Sequence, residues 1–351
     1  MKKTEIRQQR LLKALVEEYI EHIEPISSQL ISDKHIPEAS PATIRLDMAK
    51  LEEKNLIFQQ HTSAGRVPTI SGYRAYLSLI EPELEKLNYE NTDLIRNILI
   101  QYYRDTPMAL HYIMQLLARE TDELSFVAEP EVSYGYLNKL DVFKISENKL
   151  LFVVSLDSGL DKTVILNTDT QISEYQLRTI VRYVNDELIG RRIYDIQHKY
   201  LEEIFEKVTE ENKLLKLFLD EFHKALIRIS SYFIHFDGNI NFLEQPEFDD
   251  KRAILSFLGF IQRQDHLVGL MQKETENKPY YYLLGEELGR TDMANYSMVF
   301  AKYEIFGVPG YLGILAPARM NYRKHIPIIR DFAKTITNTT NKGIVIHEKQ
   351  K

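Results

Sequence analysis

The sequence predicts an α+β fold, and three observations carry that reading. The first eighty residues read as three short helices followed by two β-like runs around a tight turn. Strand-like runs then fall at Leu140 to Ile145, Leu150 to Leu156 and Lys162 to Asn167, ahead of a strongly helical block from 173 to 234. The last third closes with strand, turn, strand and helix, an α+β arrangement.

In the first helix, Leu12, Val16, Tyr19, Ile20 and Ile23 fall on one face, and Pro25 ends it. A second short helix starts with Ser27 as its N-cap, turns Leu30 and Ile31 inward and stops before Pro37. The third begins with Ser40 as cap and Pro41 at the first helical position, where a missing N–H costs nothing. Ile44, Met48 and Leu51 form its buried stripe, Thr43, Arg45, Asp47 and Lys50 its polar outer face, and Asn55 a left-handed cap. Leu56 to His61, the turn Thr62-Ser63-Ala64-Gly65, and Arg66-Val67-Pro68 then make a two-stranded wing. Three helices and a hairpin are the order of a winged helix, whose third helix enters a major groove; the same polar positions would serve equally as a solvated face.

Further helices are expected at Asn91 to Arg104 and Pro107 to Glu120, and a β-meander over the three strand-like runs. The block from 173 to 234 carries wide apolar stripes, including Leu177, Val181, Val184, Phe218, Phe222 and Leu226, that need partners within the chain or across a dimer. Beyond it come a helix from Asp249 to Ile261, strands at Leu267 to Met271, Tyr280 to Leu284, Met298 to Phe306 and Gly310 to Leu315, and a last helix from Tyr322 to Ile336. Gly307-Val308-Pro309-Gly310 is expected to turn the last two strands.

Composition narrows the function. With 44% hydrophobic and 27% charged residues the 351-residue chain has an ordinary globular balance and room for two or three domains. Its most apolar run, Leu150 to Leu156, is far short of a membrane span, and with no signal-peptide core at its start a cytoplasmic location is expected. Cysteine is absent, which excludes disulfides, thiolate metal sites and cysteine nucleophiles. The formal net charge of −7 argues against indiscriminate nucleic-acid binding, but it is uneven: residues 1–80 hold eleven Lys and Arg against ten Asp and Glu. Any DNA contact is therefore local.

No nucleotide loop, metal-ligand spacing or nucleophile elbow is present, so no cofactor, metal or catalytic residue is expected. The run Gly285-Glu286-Glu287-Leu288-Gly289-Arg290 reads as a turn, and His235-Phe236-Asp237-Gly238-Asn239 as a turn after a helix.

Several segments together are similar to the bacterial heat-inducible transcription repressor family, HrcA. They are Glu17-Glu18-Tyr19-Ile20, Glu24-Pro25-Ile26, Ala42-Thr43-Ile44-Arg45, Asp47-Met48-Ala49-Lys50-Leu51-Glu52 and His61-Thr62-Ser63-Ala64-Gly65-Arg66-Val67-Pro68. Downstream the likeness continues through Gln245-Pro246-Glu247-Phe248, Gly285-Glu286-Glu287 and Ala316-Pro317-Ala318-Arg319-Met320-Asn321-Tyr322. The resemblance implies a winged helix over 1–80, a GAF-like domain split over 81–168 and 235–345, and a mainly helical dimerisation domain inserted at 169–234. The meander before 169 belongs to either part. It further implies a homodimer that binds an inverted repeat in double-stranded operator DNA and represses chaperone operons, kept active by the GroE chaperonin.

On that reading Thr43, Arg45 and Lys50 contact bases, and Ser40 lies near a phosphate. His61, Thr62, Ser63, Gly65 and Arg66 form the wing's contact to backbone or minor groove. Arg45 could instead pair with Glu52 or Asp47, and Ser63 to Gly65 could simply form the turn. The family commonly has Asn where this chain has Leu46, and often Gly at Asn55. Three rival readings are a ligand sensor built on the GAF-like region, an enzyme fused to a DNA-binding module, and a dimeric scaffold that ignores DNA.

Overall fold

Side-chain caps set the first elements. In the computed structural model, which describes residues 3–59, 65–103, 105–169, 171–207, 212–230, 233–238, 240–273 and 278–341, α1 spans Lys3–His22, α2 Ser28–Lys34 and α3 Pro41–Glu53. Ser27 Oγ accepts from Leu30 N, and Ser40 Oγ from Thr43 N, so both expected N-caps are present. Asn55 takes the left-handed conformation, φ 56°. Two short strands, β1 (Ile57–Phe58) and β2 (Val67–Pro68), pair antiparallel. A helix not anticipated from the sequence, α4 (Ile70–Leu84), follows at once, capped by Thr69 and containing Pro82. Its buried Tyr73, Tyr76, Leu77 and Ile80 join Leu11, Leu15, Ile44 and Met48 in one core.

The central body is a five-stranded antiparallel sheet between two helical layers. Its strands are β3 (Leu124–Ala128), β7 (Ile234–Asp237), β8 (Tyr281–Leu284), β9 (Tyr296–Ile305) and β10 (Val308–Pro317), in the order β7-β3-β10-β9-β8. Along β9 alternate residues serve opposite faces. Val299, Ala301 and Tyr303 pack toward α5 (Thr92–Gln101), α6 (Thr106–Thr121) and α13 (Tyr322–Asn341). Met298 and Phe300 face the aromatic cluster of Phe242, Phe248, Phe257 and Phe260 under α11 (Lys251–Ile261) and α12 (Gln264–Lys273). With both faces covered, β9 is apolar along most of its length and shows no in-out alternation.

Four expectations for this body need correction. Leu267 to Met271 is helix within α12, because a short unbroken apolar run does not distinguish a buried strand from a buried helix. His235 to Asp237 is strand, paired with Ser125 to Val127 of the unanticipated β3. The hairpin turns at Phe306-Gly307 (φ 51° and 80°), so Val308 to Gly310 already belong to β10. Finally, α13 runs to Asn341.

Between β3 and β7 lies a separate unit. Strands β4 (Leu137–Ser146), β5 (Lys149–Leu156) and β6 (Asp161–Asn167) form the expected meander as a sheet of their own. One face is covered by α7 (Glu174–Leu188) and α10 (Lys213–Ser230); Phe152 sits 5.9 Å from Phe218 and 6.3 Å from Phe222, ring centre to ring centre. Short helices α8 (Ile193–Asp195) and α9 (Leu201–Lys207) connect the two. A boundary at 169 would therefore separate this sheet from the helices that complete its core. The apolar stripes of α7 and α10 find partners within the chain.

Candidate nucleic-acid interface

The third helix is held from behind. Asp47, expected on its outer face, is buried at 1% exposure, where its carboxylate accepts from Arg7 Nε at 2.5 Å and Gln8 Nε2 at 3.2 Å. Helical geometry explains the correction: Asp47 is four residues before Leu51 and three after Ile44, which puts it on the edge of the buried stripe. The Asp47 hydrogen bond raises the Arg7 pKa and pins α3 to α1. The outward face instead presents Ala42, Arg45, Leu46, Ala49, Lys50 and Glu53.

Arg45 and Lys50 flank that face, and among the described residues neither side chain makes a hydrogen bond or ion pair. The internal pairing considered for Arg45 does not occur, since Asp47 holds Arg7 and Glu52 holds Arg66. Ser40 and Thr43 lie together at the N-terminal end, their hydroxyl oxygens 3.0 Å apart. Ser40 is exposed and Thr43 half-buried, and Thr43 N donates to Ser40 Oγ at 3.2 Å.

The wing splits the remaining expectations. His61, Thr62 and Ser63 lie outside the described residues. Arg66 donates from Nε to Glu52 Oε2 at 3.0 Å, while its backbone exchanges hydrogen bonds with Ile26 at 2.8 and 2.9 Å. Its side chain is 17% exposed, and its visible task is to brace the wing against α3. Gly65 is backbone that approaches Ile26 so closely that an added Cβ would fall on the Ile26 carbonyl. Sequence reasoning noted Leu46 only as a departure from the family and missed Ala42 and Ala49, although the stripe of Ile44, Met48 and Leu51 already places all three opposite the core.

The module is seated on the central body through α13. Arg323 donates to Glu17 of α1 at 2.8 Å and pairs with Glu83 of α4 at 2.7 Å, and Arg330 Nη1 donates to the Leu84 carbonyl at 2.9 Å. Beside this seam a cleft of about 930 Å³ is lined by Glu17, Glu123, Gln245, Arg319 and His325, among others. Arg319 spans Glu247 with two bonds of 2.8 Å. Burial pushes the Glu123 carboxyl up to about 8 and the His325 imidazole down to about 3. Among the described residues no group of three or more His, Asp and Glu side chains is placed to hold a metal ion, and no helix is long and apolar enough to cross a membrane.

Known proteins share this layout and sequence. A solved structure titled only as a hypothetical protein superposes with a TM-score of 0.59 at 23% identity, covering 96% of this chain and 98% of that one. Residues 108–326 match the family model described as the HrcA protein C terminal domain. The heat-inducible transcription repressor HrcA of Natranaerobius thermophilus is 30% identical over 97% of this chain and 98% of its own length. The protein of that name from Pelotomaculum thermopropionicum is 29% identical over 97% and 98%. The resemblance expected from Ala42 to Arg45 and Asp47 to Glu52 thus extends through the full length, and the chain belongs to the HrcA family of heat-inducible transcription repressors.

Proposed function

We propose that α1 to β2, with α4 as its base, form a winged-helix module whose third helix enters the major groove of an inverted-repeat operator, and that the chain does so as a homodimer. The observation that carries this reading is the pair of exposed cations Arg45 and Lys50, unpartnered among the described residues, on the outward face of a helix fixed from behind by Asp47. In this reading Ser40 meets a phosphate at the helix N-terminus, and Thr43 beside it reads a base edge. The five-stranded body is the GAF-like domain, and the unit holding the meander and α7 to α10 is the inserted dimerisation domain, beginning near 135 rather than at 169.

An uncovered sheet face supports the dimer. Phe143, Leu151 and Ile165 lie in one cross-strand row on the side of the meander away from α10, with Phe143 55% and Ile165 51% exposed. Ile145, 52% exposed, extends the patch. Two copies meeting on this face would give a two-fold pair of winged helices, each half-site contact raising the effective concentration of the other. A dimer of marginal stability would make DNA binding sensitive to a change of about 1 to 2 kcal/mol, which is how dependence on the GroE chaperonin would act.

The test is binding to an inverted-repeat promoter duplex against scrambled DNA across a salt series, with and without chaperonin. Arg45→Ala is expected to weaken selective binding by about 1 to 3 kcal/mol. Lys50→Ala is expected to flatten the salt dependence by about one counterion if it meets phosphate. Equal affinity for both duplexes in every condition would overturn the reading.

A further inference from the structure

Leu46 is 67% exposed, the most exposed large aliphatic side chain among the described residues. A lone surface leucine is ordinary and requires no function. The surroundings of this one are not ordinary. Ala42 lies one turn before it and Ala49 three residues after it, so three apolar side chains make a continuous strip along the middle of the outward face of α3. Arg45 and Lys50 bound the strip on its two flanks, and neither is drawn away by an internal partner among the described residues. The first acid on this face is Glu53, at the last residue of the helix.

Cation, apolar strip, cation is a surface matched to one occupant. A major groove offers a single apolar feature, the 5-methyl group of thymine, set between rows of phosphate. A carboxylate or an amide at position 46 would read base edges by hydrogen bonds, which leucine cannot make. Placing the strip against a groove without methyl groups would strip water from acceptors and donors and give nothing in return.

We infer that Leu46, with Ala42 and Ala49 beside it, reads thymine methyl groups and is a specificity-determining residue of this repressor. The inference rests on the proposal that α3 enters the major groove, and it adds that one or more operator base pairs facing the middle of the helix are A·T pairs chosen by apolar contact. Arg45 and Lys50 flank the strip with their own contacts, and Leu46 adds the choice of A·T at the base pairs it faces.

The experiment uses the full chain and lets it select its own duplex from a randomised pool. Each thymine of the selected half-site is then replaced by deoxyuridine, which removes the methyl group and leaves every pairing edge intact. Removing a buried methyl is expected to weaken binding by about fourfold per half-site, the equivalent of about 0.8 kcal/mol. Leu46→Asn, at an exposed position where the fold has no stake, should bind duplexes with and without that methyl equally well. Its Tm should match the parent's. Selective binding that is indifferent to every deoxyuridine, or a Leu46→Asn protein that keeps the full methyl effect, would overturn the inference and leave the operator reading intact. Failure to enrich any sequence would overturn both.

Discussion

Leu46 and Asp47 are neighbours in sequence with opposite fates: the leucine is exposed, and the aspartate is buried on two donors from α1. Hydrophobicity alone would assign them the other way round, and the periodicity of α3 decides against it. Glu123 shows the same primacy of position over residue type. Its carboxyl is buried against Gln245 Nε2 at 3.0 Å, and burial raises it from an ordinary 4.5 to about 8, opposed by the charge of Arg319. A group raised in the folded state contributes its full stability below its unfolded pKa and loses it as pH rises through the folded value. Glu123→Gln keeps the hydrogen bond without the titration. It should match the parent near pH 4.5 and exceed it in stability progressively towards pH 8, by on the order of 2 kcal/mol there, read as a rising Tm difference. Parallel melting profiles for the two proteins would contradict the assignment.

Among elements, legibility followed how local the signal was. Ser27, Ser40, Pro41 and Asn55 act on backbone groups within a turn of themselves, so caps and helix starts could be read directly. In α4, Pro82 near the end punctuated a pattern that Tyr73, Tyr76, Leu77 and Ile80 otherwise carry, and the helix went unseen. Four of the five residues of β3 are buried, on both faces, and offered no alternation. For the site, α3 and its rotation were legible in Ile44, Met48 and Leu51, and the burial of Asp47 at the edge of that stripe was not, because its donors Arg7 and Gln8 lie on another helix. The bond between α7 and β4 was likewise invisible: Asn185 accepts from Leu140 N and donates to Leu140 O, both at 2.8 Å, and donates again to Val181 O at 2.9 Å. It serves as a surrogate strand for the sheet edge. Asn185→Ala should cost about 1 to 3 kcal/mol and speed hydrogen exchange at Leu140 while leaving β9 and β10 protected. Unchanged exchange along β4 would show the clamp to be idle.

At the scale of the molecule, three bodies meet at two charged joints. One is Arg323 with Glu17 and Glu83. The other is Glu129, which accepts from His235 Nε2 at 2.8 Å and from Lys162 of the meander. Burial works to raise Glu129, yet the His235 hydrogen bond and the Lys162 charge outweigh it and hold the carboxyl at about 2. A depressed carboxylate contributes stability above its unfolded pKa of 4.5 and loses it as pH falls towards 2. Glu129→Gln should therefore lower stability at neutral pH by on the order of 2 kcal/mol, seen as a lower Tm, and have little effect near pH 2. A deficit that persists undiminished in acid would place the loss elsewhere.

The pairing of β3 with β7 brings Ala128 directly opposite Ile234, so the chain leaves the central sheet and returns to it at adjacent positions. Topologically, everything between them is one long hairpin loop whose ends are already closed. Closure entropy grows only with the logarithm of loop length, so stretching a flexible loop from two residues to a hundred costs the sheet about 3 kcal/mol, and a guest that folds with its own ends together costs less. The central body could thus have existed before its guest, and the guest could be lost or exchanged in descent without shifting the register of a single core strand.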